Sequence, residues 1–167
     1  MPKAKPGPIV AFFRRAPVVL YRAHLGWILG GHFLMLTTTG RKSGRTRRTV
    51  LEVVRRADRP MGGLPTLWVV ASRGRHTDWY ANAVAGGSTG VIWKSHAFTP
   101  RLHALDTAER AELLADYRRR HPRAAAMLGT AVLGGDFTAE PEDLRRLATE
   151  LRALRLELPG ADVGTAR

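Results

Sequence analysis

Between Gly40 and Thr49 the chain reads Gly-Arg-Lys-Ser-Gly-Arg-Thr-Arg-Arg-Thr, and five of the eight residues from Arg41 to Arg48 are cationic. Glycine at 40 and at 44 admits positive φ, the backbone state in which successive N–H groups can converge on an anion. Ser43 adds a hydroxyl donor, and Arg47 a planar fork matched to phosphate or carboxylate. The chemistry this suggests is anion capture. A hairpin turn with simply solvated charges is the plain alternative, and the segment alone does not choose between them. It is not a Walker A loop, because the glycine spacing is too short and no strand-to-helix junction follows.

Two further segments carry related groups. Ala71-Ser72-Arg73-Gly74-Arg75 closes an apolar run with a glycine flanked by arginines. It can offer backbone N–H groups and a second basic arm to the same anion, or be an ordinary turn at a strand end. Asp78-Trp79-Tyr80-Ala81-Asn82 sets two large rings beside an amide. That suits the flanking of a flat ligand, although aromatics so placed usually fill a core. Other chemistries are excluded. Gly86-Gly87-Ser88-Thr89-Gly90 fits G-x-S-x-G, but it follows a helical pattern and enters a strand, the reverse of a nucleophile elbow. No G-x-G-x-x-G is present, so a dinucleotide fingerprint is missing. His24, His32, His76, His96, His103 and His121 show no metal-ligand spacing, and no metal is expected. The absence of cysteine removes disulfides, thiolate nucleophiles and zinc ribbons.

These groups need a scaffold. The 167 residues are 44% hydrophobic and 25% charged, the balance of a globular protein with one core. Lys+Arg 27 against Asp+Glu 14 gives a net charge of +13, a field that attracts nucleic acid, anionic lipid or a small polyanionic ligand. From Ala16 to Leu36 the chain is largely apolar, but Pro17, Arg22, Gly26, Gly30 and Gly31 break it too often for a spanning helix. No small-x-small cleavage site follows it. The expectation is a cytoplasmic protein whose amphipathic N-terminal helix, kinked at Pro17, has the character of a peripheral membrane contact.

Phe33–Thr39, Arg47–Arg56 and Thr66–Ser72 read as successive strands with short connections. A short helix follows Gly74 and ends at Gly86-Gly87. Thr89–Trp93 and Phe98–Leu105 read as two more strands, the latter at an edge because of Pro100. Asp106 and Glu109 form a capping box for a helix to about Arg119, stopped by His121-Pro122. Its last residues, Arg118-Arg119-Arg120, suit the negative end of the helix dipole. Pro141 opens a helix carrying Leu144, Leu147, Ala148 and Leu151, and Leu154, Leu156 and Leu158 alternate along a closing strand. The pattern predicts an α+β fold, a small barrel of about six mainly antiparallel strands with flanking helices. Residues 1–15 are expected as a basic tail and helix start, 16–160 as one domain, and 161–167 as a second tail.

Taken in order, Leu36 to Gly44, Arg47 and Thr49, Ala71 to Gly74, and Asp78 to Asn82 resemble the deazaflavin-dependent nitroreductase family, within the flavin-binding split β-barrel superfamily. The resemblance runs from about Ala16 to Leu158. It implies a split barrel binding the 8-hydroxy-5-deazaflavin coenzyme F420, with FMN as the alternative the superfamily admits. Arg41, Lys42, Ser43, Gly44, Arg47 and Thr49 would then hold the coenzyme's phosphate and acidic tail. Ala71, Ser72, Arg73, Gly74, Trp79, Tyr80 and Asn82 would lie by its ring, with Tyr80 and Ser72 the candidates for a catalytic role. The implied reaction is hydride transfer between the coenzyme and a small quinone, enone or nitro compound, the coenzyme carrying the organic chemistry. The resemblance also admits a homodimer. Ala81, Val50 and Ala85-Gly86-Gly87 depart from the usual family pattern, and the three tyrosines (21, 80 and 117) do not supply a tyrosine-rich substrate pocket. Two rival functions are a non-catalytic split-barrel binding protein for flavin, haem or lipid, and a basic nucleic-acid module. Against the second, aromatic content is 7% and no nucleic-acid motif occurs, so no nucleic-acid partner is expected.

Overall fold

The computed structural model describes residues 31–58, 65–71, 77–87, 89–134 and 140–159. The N-terminal helix, Ser72 to Arg75 and both tails fall outside them. The elements in chain order are β1 (Phe33–Thr39), β2 (Thr46–Ala57), β3 (Thr66–Ala71), α1 (Asp78–Val84), β4 (Thr89–Trp93), β5 (His96–Phe98) and β6 (Arg101–Ala104). They are followed by α2 (Thr107–Arg120), α3 (Pro122–Leu133), α4 (Pro141–Glu150) and β7 (Arg152–Glu157). The fold is α+β.

Every strand pairing is antiparallel, in the order β5-β4-β1-β2-β3-β7-β6. Laid flat, seven strands would hold the edges about 29 Å apart. Yet the edge strands β5 and β6 are joined by Thr99 and Pro100 alone, and consecutive Cα spacings limit that reach to about 11 Å. The sheet must therefore roll until its edges meet, giving a barrel closed by chain connection and not by a ladder. The sequence pattern reads Phe98–Leu105 as one edge strand. In the structure Pro100, which cannot donate to a ladder, breaks it into β5 and β6, and the strands number seven.

Side chains alternate across the rolled sheet. Leu34 and Leu36, Val91 and Trp93, Leu67, Val69 and Ala71, and Leu154 and Leu156 point inward as one core. A bulge places Val54 and Arg55 together on the outside opposite Trp68. There Trp68, Val70 and Ala153 are covered by α2 and its neighbours through Leu113, Tyr117 and Ala125. Helix α4 buries Leu144, Leu147 and Ala148 against Leu114 and Leu151. The capping box at the start of α2 forms as its sequence implies, with Glu109 N–H donating to Asp106 Oδ1 and Asp106 N–H to Glu109 Oε2, both at 2.9 Å. The reading of His121-Pro122 as a stop is half right. α2 does end there, but Pro122 is the first residue of α3, where its missing N–H costs nothing. Among the described residues no helix is long and apolar enough to cross a membrane.

One buried cation ties α2 to α4. Arg110, 8% exposed, donates from Nε to the Ala148 carbonyl at 2.7 Å, from Nη1 to Leu105 O at 2.9 Å and from Nη2 to Thr107 Oγ1 at 2.8 Å. Burial pushes its pKa down, with Arg152 adding to the effect, but an arginine stays charged at any physiological pH. The Ala148 and Leu105 carbonyls lie at the end of α4 and the start of α2, where no helical N–H serves them. Arg110→Ala strands both. The expected cost is roughly 2–4 kcal/mol in urea unfolding, and a loss below about 0.5 kcal/mol would mean the knot contributes nothing.

Candidate active site

Helix α1 lies across one mouth of the barrel, with Trp79 and Ala83 in the interior core and the β1–β2 connection beside it. That connection is a tight turn. Gly40 N–H donates to Arg45 O at 2.8 Å, and the Gly40 carbonyl accepts from Ser43 N–H at 3.1 Å and Gly44 N–H at 2.8 Å. A Cβ on Gly40 would come within 2.8 Å of Ser43 Oγ, while Gly44 is needed for its φ of +64°. The amides of Gly40, Ser43, Gly44 and Arg45 bond within the turn, the last to Ser43 Oγ at 3.4 Å, and Arg41 N–H is taken by Asn82, so side chains supply most of the donors offered to an anion.

Register decides where those side chains go. Leu34 faces Leu51, Leu36 faces Thr49 and Thr38 faces Arg47, and opposed residues of an antiparallel pair share a face. Arg47 and Thr49 therefore continue the barrel's inner face toward the mouth, while Arg48 pairs with Thr37 on the other face. A cleft of ≈ 510 Å³ opens here, within the usual range of ligand sites. Gly40, Arg41, Lys42 and Ser43 of the turn, Arg47 and Thr49 of β2, and Trp79 and Asn82 of α1 line it. Arg48 and Asp78 do so as well. In the sequence Arg48 is one cation of a basic run, and Asp78 opens the segment that carries the two rings. Of the other expected site residues, Gly44 shapes the turn, Ala71 is fully buried in the interior, and Tyr80 packs half-buried against that core, edge-on to Trp79 at 6.0 Å. None of these three lines the cleft. Ser72, Arg73 and Gly74 lie outside the described residues.

Among the described residues, four cationic side chains and one carboxylate line the cleft. Arg41 Nη1 lies 3.2 Å from Asp78 Oδ1 and 3.0 Å from Asn82 Oδ1, and Arg41 N–H donates to the same Asn82 oxygen at 3.2 Å. Lys42, Arg47 and Arg48 remain exposed at the rim with Ser43. On the other flank of α1, where the barrel edges meet, a second cleft of ≈ 510 Å³ is lined by Ala83, Val84, Gly87, Thr89, Pro100, Leu102 and other uncharged residues. The helix thus divides a cationic cleft from a neutral one. The donor set of the first fits a phosphate and carboxylate tail, and the indole of Trp79 beside it fits a flat ring. No group of three or more metal-ligating side chains occurs among the described residues.

A model of the F420H2-dependent quinone reductase family matches residues 13–130, which includes every element from β1 to α2. No curated protein matches the chain. Among solved structures, an F420-H2 dependent reductase (FDR-A) is 22% identical over 75% of this chain and 94% of its own, with a TM-score of 0.48. A protein of unknown function from Agrobacterium tumefaciens is 19% identical over 96% of this chain and 59% of its own, at 0.50. A pyridoxamine 5'-phosphate oxidase-related, FMN binding protein from Nostoc punctiforme is 14% identical over 95% and 83%, at 0.47. With the family model spanning most of the chain, this protein belongs to the F420H2-dependent quinone reductase family and is a hydride-transferring oxidoreductase whose coenzyme is F420.

Proposed function

We propose that the protein reduces a quinone to its hydroquinone, holding the acidic tail of the coenzyme in the cationic cleft. The observation that carries this reading is the side-chain donor set of Lys42, Ser43, Arg47 and Arg48 around one cleft of ligand size. Reduced F420 supplies a hydride at its deazaflavin ring, and one proton from solvent completes the two-electron reduction of the quinone. The chain's own part is to bind and orient. Arg47, on the inner face opposite Thr38, can engage two phosphate oxygens at once, while Lys42 acts as a point charge at the rim. Arg48 reaches the same rim from the other face of β2. Trp79, 9% exposed and anchored in the core, forms a rigid wall for a ring. Tyr80, edge-on to Trp79, stays assigned to the ring end, the role the resemblance implies for Ser72 as well.

Turnover tests the reading directly. Purified protein supplied with reduced F420 and a soluble naphthoquinone without oxygen should form one hydroquinone per coenzyme oxidised, seen as the return of oxidised-coenzyme fluorescence. NADPH in place of the coenzyme should give none. Reduction with NADPH and not with reduced F420 would overturn the assignment.

The cleft has its own test. Arg47→Ala should weaken binding of oxidised F420 by about 10- to 150-fold, the worth of a hydrogen bond to a charged group. Lys42→Ala should weaken it less. Added salt should weaken the wild type more than Arg47→Ala, which has one screened contact fewer. Melting temperatures should match, since both side chains are exposed. Undiminished affinity of Arg47→Ala at low salt would make the segment a charged hairpin and no more.

A further inference from the structure

Asn82 carries no charge, is 5% exposed, and turns its one acceptor oxygen toward Arg41 twice over, toward the backbone N–H at 3.2 Å and toward Nη1 at 3.0 Å. Asp78, one helical turn earlier on the same face of α1, takes Nη1 as well, at 3.2 Å. Both Nη1 hydrogens of Arg41 therefore have acceptors inside the protein. The pairs lie 41 and 37 residues apart in sequence, and they join the β1–β2 turn to a helix of 7 residues whose N-cap, Thr77, makes no side-chain cap. A helix that short has little stability of its own and takes its position from its attachments.

We infer that Arg41 and Asn82 are positioning residues, a latch that fixes α1 and its Trp79 against the anion-binding turn and does not itself hold the coenzyme. This rests on the placement of the coenzyme's tail in the cationic cleft. Arg41 counts as a cation in the sequence, but its charge is answered by Asp78 and by a buried amide. Among the described residues that line the cleft, the cations left for an anion are Lys42, Arg47 and Arg48. Arg41→Ala leaves the backbone N–H bond to Asn82 and Asn82→Ala leaves the Asp78 pair, so each variant loosens the turn from the helix and the double variant loses less than the product of the two. A direct contact from Arg41 to the coenzyme predicts the opposite, since the two losses would be independent.

A double-mutant cycle on coenzyme affinity separates the two. Arg41→Ala and Asn82→Ala are each expected to weaken binding of oxidised F420 about tenfold, and the double variant by well under about a hundredfold. A double variant weakened by the product, about a hundredfold, overturns the latch. Because Asn82→Ala removes a buried group, the wild type supplies a second reading by nitrogen NMR of its guanidinium groups. On saturation with oxidised F420 the Arg47 signals should move and the Arg41 signals should stay. Movement at Arg41 comparable to that at Arg47 overturns the latch whether or not the variant folds. Failure of the cleft assignment looks different, because then Arg47→Ala would bind normally and the Arg47 signals would not move.

Discussion

Thr99 and Pro100 join the two outermost strands of a seven-stranded sheet, and this short tether controls the rest of the molecule. It compels the sheet to close, which turns one face into an enclosed core of Leu, Val and Trp side chains and sends the other outward to be covered by helices. Closure through a tether leaves a split, because β5 and β6 do not exchange hydrogen bonds. Helix α1 lies across the mouth, and its two flanks become the two clefts. The functional surface follows from how the sheet closes.

Charge then distinguishes the clefts. The inner-face register of β2 places Leu51, Thr49 and Arg47 in line from core to mouth, so the barrel's interior grades from apolar to cationic along one strand. A hairpin turn adds Lys42 and Ser43 at the same point. Water is displaced from a rim of this kind by a tail that brings its own charge, while the apolar interior behind it keeps the contacts in a medium less screened than bulk solvent. The neutral cleft on the far flank lacks any such attraction. Net charge of +13 brings polyanions to the protein from outside, but the placement of a few side chains decides where one stays.

Much of this was readable from residue order, for identifiable reasons. β1 and β4 keep the bounds their runs predict, because β-branched and apolar residues dominate both and leave little choice. The start of α2 was legible because a capping box is a local device, and α4 because Pro141, its acids and its leucines agree. The misreadings came from residues with two local meanings. Pro122 ends one helix and begins another, and Pro100 both marks an edge and breaks a strand. The site divides along the same line. That the segment from Gly40 to Thr49 gathers cations suited to an anion is plain from its residues. That most of its amides are already bonded, and that Arg41 is held by Asn82, depends on how the turn closes and on contacts across 41 residues of sequence. No local pattern encodes either.

The central claim is that side-chain cations at the mouth of the barrel hold the phosphate and acidic tail of F420. A crystal structure of the protein with oxidised F420 tests it most directly. The account predicts the coenzyme's phosphate within about 3 Å of Arg47 guanidinium nitrogens and Ser43 Oγ, on the flank of α1 that carries Asn82. A phosphate seated in the neutral cleft beside Gly87 and Pro100, or anywhere that leaves Arg47 in solvent, would contradict it.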